Sequence, residues 1–183
     1  MKSTIIETER LLLRTWKEED AEPYYQMNQD PRFLEFLPDT ISMEQAKEYI
    51  VSTNKRIAKN GFSFFAIEEK ESGDLAGSLG LEKIESPFPF APAIEIGWRL
   101  AFPYWGRGYA TEAAKAVLNY GFYTLGFEEI VSYAFAENHA SRRIMEKIGM
   151  ARDLQGDFEH PHLPADHRLS RSVLYRIKKG EKG

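Results

Sequence analysis

The 183-residue sequence contains no cysteine. Disulfides, thiolate nucleophiles and cysteine-ligated zinc are excluded with it. No apolar run approaches the ~20 residues that cross a bilayer, and Met1 to Thr4 open without the apolar core of a signal peptide. A cytoplasmic chain with no membrane contact is therefore expected. Internal repeats, low-complexity tracts and Ser/Gly linkers are also missing. Basic residues are in the minority: 24 Lys and Arg stand against 28 Asp and Glu, a formal net charge of −4. That balance argues against nucleic-acid binding, which relies on clustered cations. What is present is ordinary for a globular protein, 43% hydrophobic and 28% charged. The length suits one domain over residues 1–183.

Patterning along the chain predicts alternating strands and helices. Arg10 to Arg14 is a short apolar run of strand type. Lys17 to Asn28 reads as a helix with Thr15 as a possible cap and Glu18, Glu19 and Asp20 in its first turn. Pro31 and Pro38 punctuate an aromatic connection through Phe33 and Phe36. Ser42 to Lys59 reads as the next helix, with Ser42 and Gln45 forming a capping box and Asn60-Gly61 ending it. Phe62 to Glu69 and Leu75 to Ile84 form a predicted hairpin around Glu71-Ser72-Gly73-Asp74. Pro87, Pro89 and Pro92 then make an apolar loop. Ala93 to Ala101 alternates as a strand, with Ile94, Ile96 and Trp98 on one side and Glu95, Gly97 and Arg99 on the other. A helix from Gly108 to Leu125, a strand from Glu129 to Ala136, a helix capped by Asn138 and stopped at Gly149, and a strand from Ser172 to Ile177 complete the pattern. The polar stretch Arg152 to His167 reads as a loop. The order β-α-α-β-β-β-α-β-α-β describes an α/β chain. A right-handed crossover makes the strands at Glu95 and Phe135 parallel neighbours.

Tyr104-Trp105-Gly106-Arg107-Gly108-Tyr109-Ala110-Thr111-Glu112 stands where a strand hands over to a helix. Such a turn presents unpaired backbone N–H groups and the positive end of a helix dipole to an anion. Gly106 and Gly108 remove the Cβ atoms that keep a phosphate at a distance, and Arg107 adds a fork of donors suited to phosphate. No Gly-Lys-Ser/Thr follows, so this is not a Walker A loop, and the Gly-x-Gly-x-x-Glu spacing is not the dinucleotide fingerprint. A tight strand-to-helix turn with no ligand is the competing reading of the spacing alone.

From Glu95 to Met150 the chain resembles the GNAT superfamily of N-acetyltransferases, in particular its RimJ/RimL-like branch. The matching pieces are Glu95-Ile96-Gly97-Trp98, the stretch from Tyr104 to Ala113, and Asn138-x-x-Ser141-x-x-x-Met145-Glu146-Lys147-x-Gly149-Met150. Thr8-Glu9-Arg10-Leu11-Leu12-Leu13-Arg14 and Leu174-Tyr175 extend the likeness over almost the whole chain. The resemblance implies an acyl-CoA N-acyltransferase fold: a mixed, mostly antiparallel central sheet with two splayed parallel strands, flanked by helices. It implies acetyl-CoA as co-substrate, its pyrophosphate on the backbone from Trp105 through Gly106, Arg107, Gly108 and Tyr109 to Ala110, with Thr111 alongside. Its pantetheine arm would pair with Trp98, Arg99 and Leu100. Trp105 departs from the Gln or Arg common in the superfamily and agrees with the branch. The branch also makes a homodimer conceivable.

Glu95 has two readings. A carboxylate at the splay point removes the proton of an alkylammonium, pKa ~10, before its nitrogen attacks a thioester; or it is a glutamate on the polar face of a strand, and alternation does not separate the two. Asn138 reads as a helix N-cap, to which the resemblance adds a contact with the cofactor arm. Many superfamily members carry a tyrosine at the position of Met145 as proton donor to the leaving thiolate. In this chain Ser141 is the substitute, as a donor to the coenzyme A sulfur. His160, His162 and His167, with Asp157 and Asp166 nearby, offer metal-type ligands; a surface loop contacting substrate is the plainer reading, and no metal is expected. Phe33, Phe36, Phe88 and Phe90 are candidates for an acceptor pocket.

The reading is an acetyltransferase acting on a primary amine, a protein N-terminus or a small molecule, by direct attack. The alternatives are a non-catalytic acyl-CoA-binding sensor, an adapter docking on protein or RNA, and a metal-dependent hydrolase built on the histidine loop.

Overall fold

The computed structural model describes residues 4–36, 40–164 and 166–181; Pro38 of the aromatic connection lies outside them. Twelve principal elements follow one another. They are β1 (Thr4–Glu7), β2 (Leu11–Arg14), α1 (Ala21–Met27), α2 (Met43–Asn60), β3 (Phe64–Glu69), β4 (Leu75–Ile84), β5 (Ala93–Leu100), α3 (Tyr109–Asn119), β6 (Glu129–Phe135), α4 (His139–Lys147), β7 (Ala151–Glu159) and β8 (Arg171–Lys178). Hydrogen bonding orders the strands β1-β2-β3-β4-β5-β6-β8-β7. The pairs β1–β2, β2–β3, β3–β4, β6–β8 and β7–β8 are antiparallel, and β5–β6 is parallel, as the crossover rule requires. No helix among the described residues is long and apolar enough to cross a membrane. Contacts divide the chain into two units: residues up to Gly80 with Trp98–Val117, and Leu81–Gly97 with the chain from Leu118 onward.

The first unit is built on β2 and β3, in register Leu11↔Glu69, Leu13↔Ile67 and Arg14↔Ala66. Leu11, Leu13, Phe65, Ile67 and Leu79 are fully buried. Helix α2 buries Ala46, Ile50, Thr53 and Ile57, a stripe at helical spacing. Its N-terminus is the expected capping box: the Gln45 N–H donates to Ser42 Oγ at 3.1 Å, and the Ser42 N–H to Gln45 Oε1 at 2.7 Å. The single helix expected over Lys17 to Asn28 is instead a 3-10 turn, Glu18–Asp20, leading into α1. Thr15 is not its cap. The Asp20 carboxylate accepts the Lys17 N–H at 2.7 Å and also faces the buried Arg14 guanidinium, at 2.7 and 2.8 Å. That double duty tightens the first turn.

The second unit centres on β6, paired along its whole length with β8 from Glu129↔Lys178 to Phe135↔Ser172. Ile96, Ile130, Met145, Leu174 and Tyr175 form its core. The loop expected over Arg152 to His167 is a strand up to Glu159. β7 ends the strand order, its register shifts between Asp153 and Phe158, and it is mostly exposed, so it lacks the apolar alternation that marks half-buried strands. Ion pairs replace that signal: Arg176 Nε to Asp153 at 2.8 Å and Arg152 to Asp157 at 2.7 Å. The helix expected through Leu125 changes to a π turn at Tyr120–Thr124. There a Cβ on Gly121 would lie 2.8 Å from Ile130 Cδ1, so the backbone presses against the strand.

Candidate active site

The strand-to-helix turn lies in the first unit and is held by residues remote in sequence. Gly106 and Gly108 have φ of 73° and 82°, the left-handed region that only glycine adopts freely. The first turn of α3 leaves backbone N–H groups without intrahelical acceptors. Glu112, in that turn, accepts the Thr8 hydroxyl at 2.6 Å, the Arg10 N–H at 2.9 Å and Arg10 Nε at 2.7 Å. Arg10 Nη1 continues to the Arg107 carbonyl at 2.9 Å, and the guanidinium lies 4.5 Å from the centre of the Tyr109 ring. Burial would raise the Glu112 carboxyl, but the Thr8 and Arg10 donors outweigh it and hold the pKa below the ordinary value.

A second carboxylate supports the same turn. Glu69, 6% exposed, accepts from the Tyr109 hydroxyl, from Arg107 Nη1 at 2.9 Å and from Ser72 Oγ at 2.9 Å. These donors, Tyr109 first, push its pKa down, and the bond to Glu69 in turn raises the pKa of Tyr109. The side chain of Arg107 is 51% exposed, so it braces Glu69 while keeping part of its fork in solvent. Trp105 turns its indole N–H onto the Leu100 carbonyl at 2.6 Å and leaves its ring exposed beside Phe102. Leu100 is buried, Trp98 half-buried and Arg99 exposed. The Arg99 charge acts on Tyr24 and Tyr49, whose hydroxyls burial pushes up in pKa. Ala110 and Thr111 are both half-buried at the start of α3.

The remaining candidates lie in the second unit. Glu95 is half-buried and in register with Val131, the one registered pair between β5 and β6. One residue further, Ser132 Oγ donates to the Ile96 carbonyl at 2.8 Å, so a side chain takes over where the ladder stops. Asn138 caps α4 as expected, its Oδ1 accepting the Ser141 N–H at 3.1 Å. Ser141 is half-buried, and Met145, four residues on, is 1% exposed and belongs to the core. His160 and His167 shape their loop: His160 N–H bonds the Ser170 carbonyl at 2.7 Å, and the Leu169 N–H bonds His167 Nδ1 at 3.1 Å. Among the described residues no three of His, Asp and Glu cluster to hold a metal.

The acetyltransferase (GNAT) domain family model matches residues 10–151. The chain belongs to the GNAT acetyltransferase family. A relative called uncharacterized N-acetyltransferase p20, from Bacillus licheniformis, is 30% identical over 177 residues, covering 95% of this chain and 96% of its own. A GNAT-family acetyltransferase from Bacillus anthracis superposes with a TM-score of 0.78 at 28% identity, over 94% of this chain and 97% of its own. The microcin C7 self-immunity acetyltransferase MccE, solved with acetyl-CoA and AMP, shares the fold, with a TM-score of 0.78 at 14% identity over 98% of each chain. The eight-stranded, mostly antiparallel sheet with one parallel pair is the GNAT architecture, and GNAT proteins use acetyl-CoA as acetyl donor.

Sequence reading found the glycine turn but not what shapes it. Thr8, Arg10 and Glu69 are the neighbours of the turn that it missed. Thr8 and Arg10 stand in a motif that marks the family, which was the available signal; Glu69 carried none.

Proposed function

We propose that the chain transfers the acetyl group of acetyl-CoA to a primary amine by direct attack, with no covalent enzyme intermediate. The observation that carries this reading is the Gly106–Gly108 turn, already held in shape by Arg10, Glu112 and Glu69. A turn fixed before the ligand arrives loses little entropy on binding it. In this reading the backbone from Trp105 to Ala110 takes the pyrophosphate, with Thr111 alongside, and the end of β5 at Trp98, Arg99 and Leu100 takes the pantetheine arm.

Glu95 receives one proton from the alkylammonium, directly or through a water, and passes it to solvent. The neutral nitrogen then attacks the thioester carbonyl. As the tetrahedral intermediate collapses, the C–S bond breaks and the nitrogen gives up a second proton, which ends on the coenzyme A sulfur. A backbone N–H near Gly97 or Trp98 polarises the carbonyl. Ser141 donates a hydrogen bond to the departing thiolate, and Asn138, besides capping α4, contacts the cofactor arm.

The test is calorimetric titration of acetyl-CoA into the wild type and Gly108→Glu, then a thiol-release assay with amines. Micromolar binding lost in Gly108→Glu, with turnover whose dependence on high pH steepens in Glu95→Gln, supports the reading. Equal affinity in Gly108→Glu rules out the pyrophosphate assignment. Binding without turnover on any amine points to an acyl-CoA sensor instead.

A further inference from the structure

The second unit carries a cluster of rings on the same face of the sheet as Glu95. Residues in register on neighbouring strands project to one face, and every second residue repeats it. The pair Glu95↔Val131 therefore puts Val131, Tyr133 and Phe135 on the Glu95 face. The rows continue outward through Phe135↔Ser172 and Ser172↔Phe158, which adds Phe158. The opposite face holds Tyr175, whose hydroxyl donates to Glu146 of α4 at 3.1 Å, so α4 packs there. On the Glu95 face, two proline-bearing loops supply the cover. Phe88 sits 5.5 Å from Tyr133, 5.5 Å from His160 and 5.8 Å from His162, ring centre to ring centre. Phe90 sits 5.8 Å from Tyr133 and 5.3 Å from Phe158.

Two features set this cluster apart from a satellite core. Its rings are half-buried, Phe158 alone being buried and His162 exposed. It also begins at Tyr133, two residues along β6 from the partner of Glu95, a step of roughly 7 Å at the rise of a strand. An amine with its nitrogen at Glu95 is thus within reach of the rings with the rest of its body.

The charges on this face narrow the chemistry. Arg176 lies between Glu129 at 2.9 Å and Asp153 at 2.8 Å, so both carboxylates are already engaged in ion pairs. Glu129 stands on the other side of Val131 from Tyr133, and Asp153, level with Tyr133 through Leu174, is held by Arg176. The ring contacts named above join phenylalanine, tyrosine and histidine side chains. Burial, with His162 adding to it, lowers the pKa of His160, so that imidazole is neutral at pH 7. A polyamine or a basic peptide presents several charges and asks for several carboxylates. With Glu129 and Asp153 held by Arg176, this face offers Glu95 beside a group of uncharged rings, which suits one ammonium on an apolar body.

We propose that the Phe88–Phe90–Tyr133–Phe158–His160 cluster recognises the acceptor and selects a primary amine carried on an aromatic or aliphatic body with no second positive charge. The inference rests on the reading of Glu95 as the base of an acetyltransferase.

The experiment is a thiol-release assay of the full chain with 2-phenylethylamine, spermidine and a lysine-rich peptide, alongside calorimetry of acetyl-CoA and, separately, of 2-phenylethylamine without cofactor. The expected result is a kcat/KM for 2-phenylethylamine at least tenfold above the other two. Phe88→Ala raises the KM for 2-phenylethylamine, and its Kd without cofactor, about tenfold. Phe88→Leu, which keeps bulk but not the ring, gives a smaller rise. In both variants the Kd for acetyl-CoA is unchanged, which also shows that they fold. A preference for spermidine or the peptide, no use of any of the three amines, or a Phe88→Ala protein that binds 2-phenylethylamine as wild type does, overturns the proposal. Loss of acetyl-CoA binding in the wild type is a different failure, that of the transferase reading; the cofactor-free titration still reports on the ring cluster.

Discussion

Arg10 donates Nη1 to the backbone carbonyl of Arg107 at 2.9 Å, across 97 positions of sequence. The same guanidinium grips Glu112 through Nε at 2.7 Å and Nη2 at 2.7 Å. One side chain therefore ties the residue between the two glycines to the first turn of α3. A planar, three-way contact of this kind needs the arginine fork, and an ammonium cannot reproduce it. Arg10 is a positioning residue for the turn.

Replacing Arg10 with lysine should weaken acetyl-CoA binding about tenfold while leaving the fold intact. A merely structural role would affect every substrate alike. The discriminating readout is turnover with acetyl-pantetheine, which lacks the pyrophosphate. The expected outcome is a raised KM for acetyl-CoA and an unchanged one for acetyl-pantetheine; equal losses with both would mean that Arg10 does not position the turn for the pyrophosphate.

Arg14 and Asp20 form a different kind of pair. Their side chains are 4% and 5% exposed and meet at 2.7 Å, with Glu68 closing on Arg14 Nε at 2.6 Å. Burial alone would lower the pKa of Arg14, yet the two carboxylates more than reverse it. Breaking a buried pair leaves a charge without its partner, which typically costs about 3–5 kcal/mol. Asp20→Ala should lose about 3 kcal/mol in urea unfolding, the low end because Glu68 remains. A loss below about 1 kcal/mol would mean that water reaches the guanidinium.

The elements that announce themselves in the sequence do so by local chemistry. Ser42, Gln45 and Gly61 mark both ends of α2, because capping is a contact between residues three or four apart. β5 and the turn after it were legible through alternation and through Gly106 and Gly108. β7 was not, because an outer strand fixed by Arg176–Asp153 and Arg152–Asp157 has no apolar period to read. The 3-10 turn at Glu18–Asp20 was hidden for the same reason: it depends on Arg14, six positions away, needing a carboxylate. In the candidate site, the side chains Glu95, Arg107 and Ser141, to which the proposal gives the chemistry, are visible by motif. The groups that orient the turn, Thr8, Arg10 and Glu69, act through tertiary contacts that no spacing rule encodes.

His160 makes part of the stability pH-dependent. Its pKa in the folded chain lies below the ordinary 6.5, because burial and the neighbouring His162 disfavour the imidazolium. The unfolded chain therefore binds the proton at a higher pH than the folded one, and stability rises with pH through that window. The contribution is complete above about pH 6.5 and fades as the pH falls through the lower, folded value. The melting temperature should fall between pH 7 and pH 5, and His160→Phe should flatten that slope. An unchanged slope in His160→Phe would assign the pH dependence to other groups.

Ser141 lies one turn into α4, where Asn138 fixes the backbone by accepting its N–H at 3.1 Å. Met145, four residues on, is buried and has no proton to give. A hydroxyl is too weak an acid to titrate in the working range, so on the proposed role Ser141 stabilises the thiolate by a hydrogen bond. Removing one such donor from an anionic transition state costs about 10²-fold or more when the donor is buried. Ser141 is half-buried, so Ser141→Ala should lower kcat by about tenfold to a hundredfold and leave the Kd for acetyl-CoA nearly unchanged. The deficit should be independent of pH between 6 and 9, on the order of the range where no hydroxyl titrates. It should also shrink with a thioester whose thiol is more acidic, since a better leaving group needs less help. A deficit that grows with pH, or one that ignores the leaving group, would take Ser141 out of the thiolate's path and leave it only as part of the α4 cap.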